Sequence, residues 1–243
     1  MQATDTEAIV LSAMDYGESD RIVTLFCRDC GKVRVIARHG KTSRKRFSGA
    51  LEVFAHLQVR LVLKDGLSSL RGTDIITIFP RIRRDLGKIA HAGYACEVVD
   101  RLLPDAMANP RLYRLFLSYL DHLDSSPATS DDLRFFQINL LNILGYRPSL
   151  NACCSCGAPV DGDAFFSGVG ELLCAACRTG GKAIGSETLA LLGQALLTGR
   201  FGVITFPPSC LAEAGQLLDA AVTVHLNRPL HSLDFLNSIL DVH

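Results

Sequence analysis

Apolar and polar residues alternate with a period of two through most of the first 80 positions, the pattern of strands that bury one face. Residues 8–13 and 21–26 open the series, and Tyr16-Gly17-Glu18-Ser19-Asp20 between them reads as a turn. Residues 32–38 put Val33, Val35 and Ala37 on one face and Lys32, Arg34, Ile36 and Arg38 on the other, which predicts a buried face backed by a basic one. A longer strand is expected over 51–64, where Val59, Leu61 and Leu63 alternate with Arg60 and Lys64. Asp65-Gly66 then reverses the chain into 67–71, and a strand over 75–79 stops at Pro80. Five or so strands with no helical period between them predict a small closed barrel of the OB type.

After Pro80 the period lengthens. Leu86, Ile89, Ala90, Gly93, Val98 and Leu102 recur at helical spacing until Pro104. Asn109-Pro110 starts a second helix through Leu112, Leu115, Phe116, Tyr119 and Leu123. Ser130 is the expected cap of a third, with Asp131 and Asp132 favourably placed at its start and Gly145 as its stop. Helical pattern returns over 186–199, 209–226 and 232–240.

Between the third helix and the return of helical pattern lie two C-x-x-C pairs, Cys153/Cys156 and Cys174/Cys177, seventeen residues apart. Each short pair forms a knuckle whose sulfurs face one ion, and this spacing is that of a four-thiolate zinc site. Cys154 could compete with Cys153, but the two-residue gap to Cys156 favours Cys153. Catalytic zinc keeps an open position and commonly takes His or carboxylate ligands. Here no histidine lies between His122 and His225, so the expected single Zn2+ is structural and orders a loop too small for a core of its own. The expected fold class is therefore α+β: a five-stranded OB-fold barrel over 1–80, then an all-helical domain over 81–243 with the four-cysteine zinc knuckle inserted at about 150–182.

Composition narrows the class. Hydrophobic residues make up 48% of 243, enough for real cores and against extensive disorder. The amino terminus lacks a basic and apolar signal pattern, and no apolar run approaches the roughly 20 residues that span a bilayer. A cytoplasmic protein with reduced thiols and no membrane contact is expected. A third pair, Cys27/Cys30, ends a strand before Gly31 rather than opening a helix, so thioredoxin-like activation by a helix dipole has no support and the pair reads as incidental. Cys96 and Cys210 fall in helical segments and read as buried thiols. Phosphate-binding, serine-hydrolase and nucleobase-deaminase motifs are missing, and the chain is not expected to be an enzyme.

Net charge is zero, yet residues 1–88 carry 16 Lys and Arg against 10 Asp and Glu, whereas residues 89–243 carry 9 against 15. One half is suited to a polyanion. The run over 38–46 holds Arg38, Lys41, Arg44, Lys45 and Arg46 with no acid, and on a loop beside the third strand it extends the Lys32/Arg34 face into a track for phosphates. Phe47, Tyr16 and Phe54 are candidates for stacking on unpaired bases. The rival readings are a zinc-dependent hydrolase acting on nucleic acid and a protein scaffold without DNA contact.

The run from Asp15 to Phe26, then Gly31-Lys32, then Arg46-Phe47-Ser48-Gly49-Ala50-Leu51-Glu52, resembles the amino-terminal signature of the bacterial DNA repair protein RecO family, and Asn142-Ile143-Leu144-Gly145-Tyr146-Arg147-Pro148 resembles the stretch ahead of its first knuckle. The resemblance extends over essentially the whole chain. It implies an OB-fold, a helical carboxy-terminal domain with the zinc insertion seen in many members, and work on the nucleoid. It further implies binding of single- and double-stranded DNA, annealing of complementary strands, and loading of RecA, with RecR, onto DNA coated by single-strand DNA-binding protein. The position before Gly31 is usually not cysteine in that family, and many relatives have a short turn where this chain has residues 38–46. The acidic, apolar tail of single-strand DNA-binding protein is expected to dock on the helical half, where Arg111, Arg114 or Arg134 must cluster to receive it.

Overall fold

The computed structural model describes residues 3–43, 47, 50–160, 164–178, 180–226 and 228–240. Five strands, β1 (Thr4–Tyr16), β2 (Asp20–Cys27), β3 (Gly31–Ala37), β4 (His56–Val62) and β5 (Ser68–Thr77), close into a barrel in the order β1-β2-β3-β5-β4. β1 is long enough to serve both sides: its first half pairs with β4 and its second half with β2, with a register shift between Val10 and Ser12. A short parallel pairing, Val35 with Ser68 and Ile36 with Ser69, seals the other seam. This is the OB-fold. Its interior is filled by Val10, Val23, Leu25, Val35, Leu57, Val59 and Leu61; a one-residue slip of any strand would turn that set to water.

The period of two located the strands but not all their ends. Residues 51–55 are not strand, because Phe54 adopts φ 75° and its N–H returns to Val10 O at 3.0 Å. The expected strands at 67–71 and 75–79 are one strand, β5, whose pairing with β4 shifts register at Arg60/Leu61 and leaves Arg71 as the extra residue. Arg83 braces two such kinks: its guanidinium donates to Val53 O at 2.7 Å and Ile78 O at 2.8 Å, the carbonyls preceding Phe54 and Phe79, which both have positive φ.

Three helices belong with the barrel. α1 (Leu86–Leu102) is capped by Asp85 and α2 (Pro110–Ser125) by Asn109. α2 buries Leu112, Tyr113, Phe116, Tyr119, Leu120 and Leu123. Tyr113 stacks edge-on against Phe26 at 5.4 Å and its hydroxyl meets His56 Nε2 at 3.0 Å. In the second group, α3 (Ser130–Leu144) is capped by Thr129, whose hydroxyl accepts the Asp132 N–H; Ser130 is its first residue rather than its cap. Gly145 ends it at φ 81°. Asp131 and Asp132 have a second task, accepting the N–H groups of Phe206 and Gly202. The small sheet β6 (Ala164–Phe166), β7 (Leu172–Cys174) and β8 (Lys182–Ile184), ordered β7-β6-β8, precedes α4 (Ser186–Thr198) and α5 (Pro208–Thr223).

The last helix, α6 (His231–Leu240), returns to the first group. The compact units are residues 1–127 with 230–243, and residues 128–229. Position 80 thus marks the end of the strand succession, while packing carries the first unit through α1, α2 and α6. Glu97 on α1 holds α6 by its amino terminus, accepting the N–H groups of Ser232 at 2.8 Å and His231 at 3.4 Å. Burial pushes the Glu97 carboxyl up, but these donors and Arg101 outweigh it and hold the group below its ordinary value of 4.5. A carboxylate with a lowered folded-state pKa stabilises above its unfolded value, and that contribution is lost as pH falls through the folded one. Glu97→Gln is therefore expected to cost about 1–2 kcal/mol at pH 7. In urea titrations its deficit relative to the parent protein should shrink toward pH 4; a deficit independent of pH would mean that the carboxylate charge is not what holds α6.

Candidate metal centre and nucleic-acid interface

The two knuckles between α3 and α4 converge. The sulfurs of Cys153, Cys156, Cys174 and Cys177 all lie within 4.8 Å of one another, and those of Cys156 and Cys174 are 3.8 Å apart. Tetrahedral thiolates at about 2.3 Å from zinc sit roughly 3.8 Å from each other, so the donor set and its spacing fit a metal ion. The first knuckle is shaped by its backbone: Gly157 donates to Cys153 O and takes φ 72°, while Cys153 donates to Ala158 O. Backbone N–H groups of Cys174 and Cys156 aimed at the Cys153 sulfur hold its thiol down to about 6. Cys177 is pushed up to about 12 by hydrogen bonds with the sulfurs of Cys156 and Cys174. Cys154 is exposed and stands outside the cluster. Phe165 and Leu173 back the site with Cys153. Gly170 presses the insertion against α5, since a Cβ there would fall 2.7 Å from Ala221 N.

On the barrel, β3 keeps its two faces. Val33, Val35 and Ala37 are buried, Arg34 and Arg38 are exposed, and Lys32 is half-buried. A cleft of about 640 Å³ opens beside β3, with Ile22, Val33, Leu63 and Leu67 among its apolar lining, Lys32, Arg34 and Lys64 as its cations and Asp29, Asp65 and Asp105 as its acids. It lies between the strand 2–3 face and the β4–β5 loop, the region where OB barrels receive oligonucleotides. The cations are not equivalent. Lys32 is only 13% exposed and is neutralised by Asp105 at 3.2 Å and Asp100 at 3.5 Å. Arg34 and Lys64 form no ion pair with a described residue. Lys41 packs onto the β1–β2 turn, bonding Gly17 O at 3.0 Å and Asp15 at 3.2 Å. Arg44, Lys45 and Arg46 lie outside the described residues.

Of the stacking candidates, Phe47 is 1% exposed in the barrel core and Phe54 is buried, so only Tyr16 offers a free ring. Lys64, to which the strand period gives only a solvent-facing position, lines the cleft; the Asp65-Gly66 reversal beside it is the sequence signal for that placement. Arg134 is no surface receptor. It is buried and paired with Asp219 at 3.0 Å, beneath Gly215.

A closed five-stranded OB barrel followed by helices with a four-thiolate insertion defines a two-part architecture in which the basic cleft and the cysteine cluster are far apart in sequence. Residues 1–79 match the model "Recombination protein O N terminal" and residues 83–234 match "Recombination protein O C terminal". The chain belongs to the Recombination protein O family. It is 57% identical over 235 residues to the DNA repair protein RecO of Geobacter sulfurreducens, covering 96% of this chain and 97% of that protein. The namesake from Geobacter metallireducens is 55% identical over 98% of this chain and 99% of its own length. That of Myxococcus xanthus is 36% identical, again over 98% and 99%. No helix among the described residues is long and apolar enough to cross a membrane.

Proposed function

We propose that the protein is a DNA repair and homologous-recombination mediator without enzymatic activity of its own. It binds single- and double-stranded DNA through the barrel, anneals complementary strands and, with RecR, helps load RecA onto DNA coated by single-strand DNA-binding protein. It does so in the cytoplasm, at the nucleoid. The observation that carries this reading is the cleft beside β3, where Arg34 and Lys64 stand without an ion pair to a described residue next to apolar side chains. Such a surface attracts phosphates and tolerates any base. Annealing brings two polyanions together, and basic side chains lower that repulsion without ATP.

Arg34, Arg38 and Lys41 form the described part of the track. Arg44, Lys45 and Arg46 continue it in sequence, and Lys32 joins only if DNA displaces Asp105. Zn2+ is the metal that suits four thiolates, and its role here is structural. For the acidic tail of single-strand DNA-binding protein, Arg111 and Arg114 are the better anchors, because both are exposed and lie three residues apart on α2.

With about five phosphates engaged, log K against log salt for a single-stranded oligonucleotide should have a slope near −3.5. Arg34→Glu with Lys64→Glu is expected to weaken binding at least about tenfold at low salt and to flatten the slope by roughly 1.4. Arg44→Glu, Lys45→Glu and Arg46→Glu together should act in the same direction. Anisotropy titrations with unchanged affinity and slope in both variants would move the DNA site off the barrel. A strand-annealing assay with and without RecR separates a mediator from a scaffold.

A further inference from the structure

The Cys27/Cys30 pair has the same local build as the first knuckle of the metal site. Cys27 pairs across the turn with Gly31, as Cys153 does with Gly157, and the two glycines have φ 75° and 72°. The difference lies in what surrounds them. Cys153 and Cys156 face Cys174 and Cys177, whereas among the described residues no further His, Cys, Asp or Glu completes a metal-holding group with Cys27 and Cys30. Cys27 is fully buried in the barrel core. Cys30, three residues on, is half-buried against that core and lines the cleft of about 640 Å³. One cysteine lines the cleft and the other belongs to the buried core against which it packs.

We propose that Cys27 and Cys30 form a peroxide-reactive dithiol, with Cys30 the sulfur that is attacked first and Cys27 the one that resolves it to an intramolecular disulfide. The two thiols are hydrogen-bonded to each other. That bond, with burial behind it, raises Cys27 far above the ordinary thiol range, and it lowers Cys30 despite burial and the neighbouring Asp29. The partner thiol thus supplies the activation that a helix amino terminus supplies elsewhere. Hydrogen peroxide is the co-reactant. The Cys30 thiolate attacks one peroxide oxygen, the O–O bond breaks, and Cys30 becomes a sulfenic acid while hydroxide leaves and is protonated to water. The Cys27 sulfur then attacks the Cys30 sulfur. The S–O bond breaks, and the departing hydroxide takes the Cys27 proton as a second water. Two thiols lose two electrons and two protons, and one peroxide becomes two waters.

Trypsin cuts after Arg28, between the two cysteines, so the product can be assigned without ambiguity. Metal-loaded full-length protein treated with hydrogen peroxide and alkylated should yield peptides 22–28 and 29–32 joined by a disulfide that dithiothreitol separates. Cys30→Ser should eliminate the linkage. Cys27→Ala should replace it with a Cys30 adduct of dimedone, the trap for sulfenic acid, and this variant also guards against a folding defect of Cys30→Ser. The proposal is overturned if both peptides are recovered separately and alkylated while Cys154 or the metal thiols oxidise. It is overturned equally if a second equivalent of Cd2+ is retained by the parent protein and lost in Cys30→Ser, because the pair is then a metal ligand set.

Discussion

Exchanging Cys174 and Cys177 together for serine is expected to abolish metal retention and to unfold residues 151–185. The described residues there hold three strands of three residues each; Ala164, Phe166, Leu172 and Ile184 are buried, and the cluster at the metal side consists of the ligand cysteines Cys153, Cys174 and Cys177 with Phe165, Leu173 and Val160. That handful of buried side chains does not by itself offset the entropy of ordering some thirty residues, on the order of 1–2 kcal/mol per residue. Structural zinc contributes about 10–16 kcal/mol of apparent binding free energy in isolated fingers, and that energy is folding energy. Metal analysis should fall from one equivalent to none, and limited proteolysis should cut within the insertion while the barrel persists as a resistant fragment. A variant that lost its metal yet stayed protease-resistant across 151–185 would show that the sheet stands without the ion.

Gly31→Ala should produce the largest loss in the first unit. Gly31 has φ 75°, and a Cβ built there would lie 2.2 Å from Met107 O, inside the atom rather than beside it. The neighbouring backbone is pinned on the other side by Ala106 N–H donating to Lys32 O at 2.8 Å and by the Lys32–Asp105 ion pair, so the overlap has no easy relief. A loss of about 3 kcal/mol or more is expected, well above an ordinary substitution. Gly17→Ala is the matched control: φ is 58° there, but nothing lies within 4 Å of the added carbon, leaving backbone strain of about 1 kcal/mol. Equal losses for the two variants in urea unfolding would mean that the 104–108 segment moves aside freely.

What the sequence could disclose depended on how local the physics was. Strand alternation and knuckle spacing are set within a few residues, so the barrel and the four-cysteine insertion were legible. The break at Phe54 was not, because a left-handed phenylalanine leaves no mark when a long-range bond, its N–H to Val10 O, fixes it. Lys32 looked like a phosphate ligand for the same reason: its neutralising partners, Asp100 and Asp105, lie about seventy residues onward. Arg134 read as surface because nothing near it in sequence announces Asp219. The return of α6 to α1 was hidden likewise, since its anchor Glu97 precedes Ser232 by well over a hundred positions.

That returning helix bears on how the protein is born. A ribosome releases the barrel, α1 and α2 first, then must translate the whole second unit before α6 appears. At about 5–20 residues per second, roughly a hundred intervening residues keep the Glu97 side of α1 uncovered for about 5–20 s. For that interval the nascent amino-terminal unit is unfinished, and Glu97 lacks the N–H groups that the last helix brings to it.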